Sequence, residues 1–146
     1  MSLERWQASG WLSAHRPSGR EIADLLAIAD RDIEDCQREG LSADWKFAIA
    51  YNSVLQAATA ALAAAGYRAG RESHHYRVLQ SLSMTIGLPS DQIQHLDAFR
   101  KKRNVSGYER IGGVSDQEVR EIIETAIDIR SHVGRWMAAS HPELLQ

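Results

Sequence analysis

Residues 47–67, FAIAYNSVLQAATAALAAAGY, carry no charged side chain, and alanine dominates them. As a helix this run extends about 30 Å, so it must lie either in a bilayer or inside a protein. A membrane span calls for about 20 strongly apolar residues, whereas Asn52, Ser53, Gln56 and Thr59 interrupt this run and much of its apolar character is alanine. The run therefore predicts a buried central helix, opening near Ser42 and closing at Gly66, and not a membrane segment. Its small side chains let neighbouring helices approach closely. A chain built round such a helix has to supply further helices to enclose it.

The remaining sequence does so. Apolar residues keep a helical period nearly throughout, and no stretch alternates cleanly enough to predict a strand. Ser18 and Glu21 have capping-box spacing and open a helix with the stripe Ile22, Leu25, Leu26, Ala29, Ile33 and Cys36, which Gly40 ends. The loop YRAGRESHH leads into a third helix carrying His75, Leu79, Leu82 and Ile86, stopped by Gly87 and Pro89. A fourth holds Ile93, Leu96 and Phe99. After Gly112 and Gly113, Ser115 and Glu118 form a second capping box, and the fifth helix is lined by Val119, Ile122, Ile123, Ala126, Val133, Trp136 and Met137. The expectation is an all-α fold: an antiparallel bundle of four to five helices, preceded by a short amphipathic one, with residues 1–146 forming one domain.

The formal net charge of -2 and pI near 6.3 argue against a broad basic surface for nucleic acid, so any anion site must be local. Cys36 is the lone cysteine, which excludes an intrachain disulfide and a Cys-rich zinc site and suits a reducing cytoplasm. The opening MSLERWQASGWL lacks the apolar run of a signal peptide, so a cytoplasmic location is expected. There is no glycine-rich phosphate loop followed by lysine and no His-Glu-x-x-His arrangement, and neither cofactor nor metal is expected. Adjacent His74 and His75 would diverge by about 100° on a helix and seldom share an ion. His75, in line with Leu79 and Leu82, reads as a core-edge histidine, and Asp30, Asp32, Glu34 and Asp35 read as solvated surface.

The exception to this even charge distribution is FRKKRNVSGYER, residues 99–110. With Ile93 at zero and about 100° per residue, Leu96 and Phe99 set a core direction near 300°. Arg103 then falls at about 280° and Arg100 at about 340°, whereas Lys101 and Lys102 fall at about 80° and 180°. The lysines face solvent; Arg100, Arg103 and Asn104 face a cleft or an interface. Asp97 lies within helical reach of Arg100. An arginine on an apolar face is costly unless it is paired or meets a polar cleft. Two readings stay open: structural ion pairs, or an anion site that uses the guanidinium fork on phosphate. Asn52, Gln56 and Thr59 form a polar stripe on the central helix and either bond internally or line the same cleft.

The segment AYNSVLQAATAALAAAGYRAGRESHHYRVLQSL followed by LDAFRKKRNVSGYE resembles the HEPN family, small all-α proteins named for their occurrence in higher eukaryotes and prokaryotes. The likeness covers residues 22–137 and consists of an alanine-rich second helix, a glycine-containing loop with histidine at the start of the third, and Arg-Asn near the end of the fourth. Many HEPN proteins are metal-independent ribonucleases, often the toxin half of a toxin–antitoxin pair encoded beside a small nucleotidyltransferase, with an active cleft formed across a homodimer. Their usual motif is arginine, four to six residues of which the first is often polar, then histidine. By this resemblance Arg103 is the motif arginine and Asn104 its polar neighbour, but Tyr108 takes the histidine position and the other spacings reach only Glu109 and Arg110.

That departure matters chemically. Metal-free cleavage needs a base near neutral pKa to activate the RNA 2′-hydroxyl, and cations to stabilise charge on the phosphoryl oxygens. Arg103 supplies the second. Tyrosine, with a reference pKa of about 10, is a poor base, and losing a positioned acid–base group costs about 10² to 10⁴ in rate. Tyr108 would instead donate a hydrogen bond or stack on a base. The resemblance therefore implies a catalytically weakened HEPN protein, homodimeric and belonging to a toxin–antitoxin or defence-type system. Arg103, Asn104 and Tyr108 would hold its catalytic positions, with Arg100, Asp97, Asn52 and Gln56 around them. Its cleft would bind RNA, a nucleotide, or a partner protein of nucleotidyltransferase type. One alternative is an active metal-independent endoribonuclease using Arg103, with a histidine recruited from elsewhere. The other is a purely structural bundle that dimerises through the fourth helix.

Overall fold

A computed structural model describes the backbone of residues 1–108 and 113–146 and the side chains of residues 1–104 and 113–146. The helices in chain order are α1 (Leu3–Ala8), α2 (Gly19–Asp35), α3 (Ala43–Ala64), α4 (His74–Gln80), α5 (Leu82–Thr85), α6 (Ser90–Tyr108) and α7 (Asp116–Ser140), followed by a 3-10 turn at Pro142–Leu145. Serines start four of them. Ser2, Ser18, Ser42 and Ser115 each accept a hydrogen bond from the backbone N–H three residues on, satisfying a donor that the first turn leaves open. At Ser115 the box closes in both directions, because the Glu118 carboxylate accepts from the Ser115 N–H at 2.9 Å. Glu21 does something else: its carboxylate lies 2.8 and 2.9 Å from Nε2 of His15 and ties the start of α2 to the preceding segment.

α3 is the centre. By length and composition it could cross a membrane, and 72% of its most apolar window is buried inside the fold. Ala50, Ala57, Ala58, Ala60 and Ala61 are fully buried, and α3 packs against both α2 and α7. Ser53 donates to the carbonyl of Ala29 at 2.8 Å, a contact open only to helices that meet closely. Asp32 meets Asn52 while Ala29 meets Ser53, so α2 and α3 run antiparallel. Phe47 packs edge-on to Phe99 of α6, with centroids 5.8 Å apart. Full burial of a side chain of this size is worth about 1.5–3 kcal/mol.

The structure departs from the sequence-based expectation in four places. A two-stranded antiparallel ribbon joins β1 (Leu12–Ala14) to β2 (Tyr67–Ala69), pairing Leu12 with Ala69 and Ala14 with Tyr67. Three residues per strand are too few for an alternating pattern to register. Further bonds from His15 N–H to the Gly66 carbonyl and from Gly70 N–H to the Trp11 carbonyl lengthen the ladder at each end. The expected third helix is broken at buried Ser81, whose hydroxyl donates to the Val78 carbonyl at 2.7 Å, leaving α4 and α5 as separate pieces. α2 ends at Asp35, before Gly40. Asp32 is no surface acid: it is 4% exposed and accepts from Asn52 at 2.7 Å and from Arg31.

Candidate functional site

The expected site residues separate into two groups. Asn52 and Gln56 form an internal chain: Gln56 Nε2 donates to Asn52 Oδ1 at 3.2 Å, and Asn52 Nδ2 donates to the buried Asp32 carboxylate. Thr59 donates to the Leu55 carbonyl. Of these bonds the one from Asn52 to Asp32 joins α3 to α2, and neither Asn52 nor Gln56 is among the described lining residues of the cleft that holds Arg100 and Asn104. A helical stripe of uncharged polar residues gives no sign of which neighbour will satisfy it.

The second group converges where the last turns of α6 meet the start of α4. Arg100 donates from Nε to Asp97 Oδ1 at 2.8 Å, the pair expected from helical spacing, and its guanidinium lies 5.3 Å from the centre of the Tyr76 ring. Arg103 lies 5.8 Å from the centre of the Tyr51 ring on α3. Tyr51 is 2% exposed, and its hydroxyl is 3.2 Å from Nδ1 of His75. Between α4 and α6 opens a cleft of about 590 Å³. Arg71, Ser73, His74, His75 and Tyr76 line one side of it and Arg100 and Asn104 the other. No carboxylate is among these described lining residues. Lys101 is exposed and 3.4 Å from Asp97, whereas Lys102 lies 3.4 Å from Glu118 of α7 and is only 34% exposed, less solvated than the helical wheel places it. Tyr108 ends α6, and its side chain lies outside the described residues.

Ser73 holds the left-handed region at φ 53, the only non-glycine among the described residues to do so. Such a conformation persists only where its surroundings impose it. Here it turns the chain from the loop into α4, so that His74 and His75 both reach the cleft. His74 Nδ1 donates to the Gly70 carbonyl at 3.0 Å, and the two imidazoles lie 6.1 Å apart.

Electrostatics follow from this crowding. Burial pushes the Tyr51 hydroxyl up to about 12, against the pull of Arg100 and Arg103, so it stays protonated. Burial also lowers His75, and Arg103, neighbouring His74 and Arg100 lower it further, keeping the imidazole neutral near pH 7. Burial alone would raise Asp97, but hydrogen bonds and charge from Arg100 and Lys101 outweigh it and hold the carboxyl below its usual value. With Nδ1 of a neutral His75 bonded to Tyr51, Nε2 has no hydrogen-bond partner among the described residues, and it can accept in one tautomer and donate in the other.

The Tyr51–His75 contact was not legible in the sequence, where Tyr51 lies inside the apolar run and His75 follows a core stripe. The one available signal was the accumulation of cations and histidines in YRAGRESHH. His95 stacks on Phe99 at 4.4 Å and has no part in this cleft. Among the described residues, no three His, Cys, Asp or Glu side chains gather as metal ligands. No protein-family model matches the chain, and no curated protein matches it.

Proposed function

We propose that the cleft between α4 and α6 binds the phosphodiester backbone of RNA, in a HEPN-like protein. One observation carries the reading: a chain of net charge -2 concentrates Arg71, Arg100 and two histidines round a 590 Å³ opening with no carboxylate among its described lining residues. Asp97 holds Arg100 in place through Nε, and among the described residues no hydrogen bond takes its terminal nitrogens, which suit an anion. Arg103 adds positive charge beside Tyr51 and His75. The resemblance of the α3–α4 and α6 sequences to HEPN proteins supports RNA over a small anion. It also supports action as a homodimer in the cytoplasm, in a toxin–antitoxin or defence setting beside a nucleotidyltransferase-type partner.

A second reading, metal-independent cleavage of that RNA, is favoured by His75. Neutral and bonded to Tyr51, it has the protonation state of a general base that the sequence motif lacks. In such a reaction His75 is in the tautomer whose Nδ1–H donates to the Tyr51 oxygen: the 2′-hydroxyl loses its proton to Nε2 and attacks the adjacent phosphorus, the bond to the 5′-oxygen breaks as that oxygen takes a proton from water, and a 2′,3′-cyclic phosphate forms.

Incubating a mixed RNA pool with the protein in EDTA tests both readings. Binding reduced at least about tenfold by Arg100→Gln supports the first, as one charged hydrogen bond is worth about 1.5–3 kcal/mol. Cyclic-phosphate ends that vanish with His75→Ala support the second. Equal retention of RNA by the parent and the Arg100 variant would overturn the assignment of this cleft.

A further inference from the structure

Beyond the α4–α6 cleft, a second opening of about 380 Å³ lies beside the end of the β1–β2 ribbon where Leu12 pairs with Ala69. Its lining includes Trp11, Arg77, Gly10, Gly70 and Glu72, together with Arg71, which lines the first cleft as well. The two openings are therefore neighbours that share one exposed guanidinium. Trp11 is 38% exposed although it packs edge-on to Trp6 at 5.6 Å, and the Arg77 guanidinium stacks 4.1 Å from the centre of its ring. Gly10 and Gly70 leave two rim positions without side chains, so a ligand could approach the backbone there.

We propose that the two openings form one groove for single-stranded RNA, with Arg71 the shared phosphate contact and the Trp11–Arg77 stack a platform for a base further along the strand. This rests on the RNA-binding reading of the first cleft and extends it. Cations that follow a backbone, interleaved with partly exposed aromatic rings, are what sequence-tolerant single-strand binding requires, since every base offers a π-face. Tyr76, 41% exposed beside Arg100, gives the first cleft a ring of its own. A double helix would hide the faces of its bases from both rings. Glu72 is the one carboxylate among the described lining residues of the two openings, and it lies in the second. It opposes a phosphate there, which fixes the sign of its removal.

The test uses labelled 2′-O-methyl oligouridylates of about 4 and about 12 nucleotides, lengths within the range of single-strand site sizes, which cannot be cleaved through a 2′-hydroxyl. Anisotropy is measured with the full chain and with Glu72→Gln, Trp11→Leu and Arg71→Gln. Glu72→Gln should tighten the long oligomer roughly two- to fivefold, as expected of one exposed charge, and leave the short one unchanged. Trp11→Leu should weaken the long oligomer by about tenfold, within the range for one stacked base. Arg71→Gln should flatten the salt dependence of the long oligomer by about 0.7 in log K against log salt. Parent protein that binds both lengths while Glu72→Gln leaves both unchanged overturns the groove and spares the first cleft. Parent protein that binds neither length overturns both. Glu72 is exposed and, among the described residues, makes no hydrogen bond whose loss could unfold the chain, so its substitution still decides the matter even if Trp11→Leu destabilises the ribbon.

Discussion

Replacing Asn52 by alanine should destabilise the protein while leaving RNA binding intact. Asp32 has a side chain 6% exposed, and its two oxygens divide their donors: Oδ1 receives Arg31 at 3.0 and 3.1 Å, and Oδ2 receives Asn52 at 2.7 Å. A hydrogen bond to a charged group contributes about 1.5–3 kcal/mol. Arg31 is 61% exposed and lets water approach from its own side, which offsets part of the cost of leaving Oδ2 without Asn52. Gln56 loses its acceptor too, but it is only half-buried and turns to water at little cost. The expected loss is about 2 kcal/mol, or about 4–8 °C in Tm for a chain of this size. Urea unfolding with an unchanged m-value measures it, and the Asp32→Ala/Asn52→Ala cycle should show coupling of about 1–2 kcal/mol. A loss below about 0.5 kcal/mol, the level of an ordinary surface change, or zero coupling, would refute the internal network and return Asn52 to the ligand contacts.

Three further outcomes are expected. His75 should titrate below the ordinary histidine value in NMR, and Arg103→Gln should move it upward; an unmoved midpoint would remove Arg103 from its surroundings. Because the folded pKa is lowered, the folded state binds fewer protons than the unfolded one, so this contribution to stability is complete above the unfolded pKa and declines as pH falls below it. Asp97 is also lowered, by Arg100 and Lys101, so its contribution is complete above the ordinary carboxyl pKa and is lost as pH falls through the folded value. Arg100→Gln should flatten the acid limb of the stability profile, and an unchanged limb would contradict the pairing. Cys36, fully buried with burial pushing its thiol up to about 11, should react with a maleimide only as fast as the protein opens; prompt labelling in native buffer would contradict that burial.

Helices were legible because their signals are local. The 3.6-residue period, the serine caps and the uncharged alanine run each act within a few residues, and α3 lies where the run places it. The inward placement of Arg100 is of the same kind: its side chain is 22% exposed against 70% for Lys101. What could not be read were meetings between distant elements. Tyr51 finds His75, Lys102 finds Glu118, and Leu12 pairs with Ala69, each across a turn of the chain whose geometry no local pattern encodes. Asp32 is the clearest case, because a run of acids predicts solvent and only the arrival of Asn52 offsets the cost of burial.

The β1–β2 ribbon also sets an order in time. Translation delivers Leu12 well before Ala69, with all of α2 and α3 between them, so Trp11 waits without its partner strand while the bundle's central hairpin forms. Contacts this distant in sequence close late, after local helices have shortened the loop. The floor that carries Trp11 beside Arg77 is then assembled only after α3 is in place. On the ribosome, a chain truncated between α3 and β2 would hold the sequence of α1, α2 and α3 but could not yet present the outer surface beside the cleft.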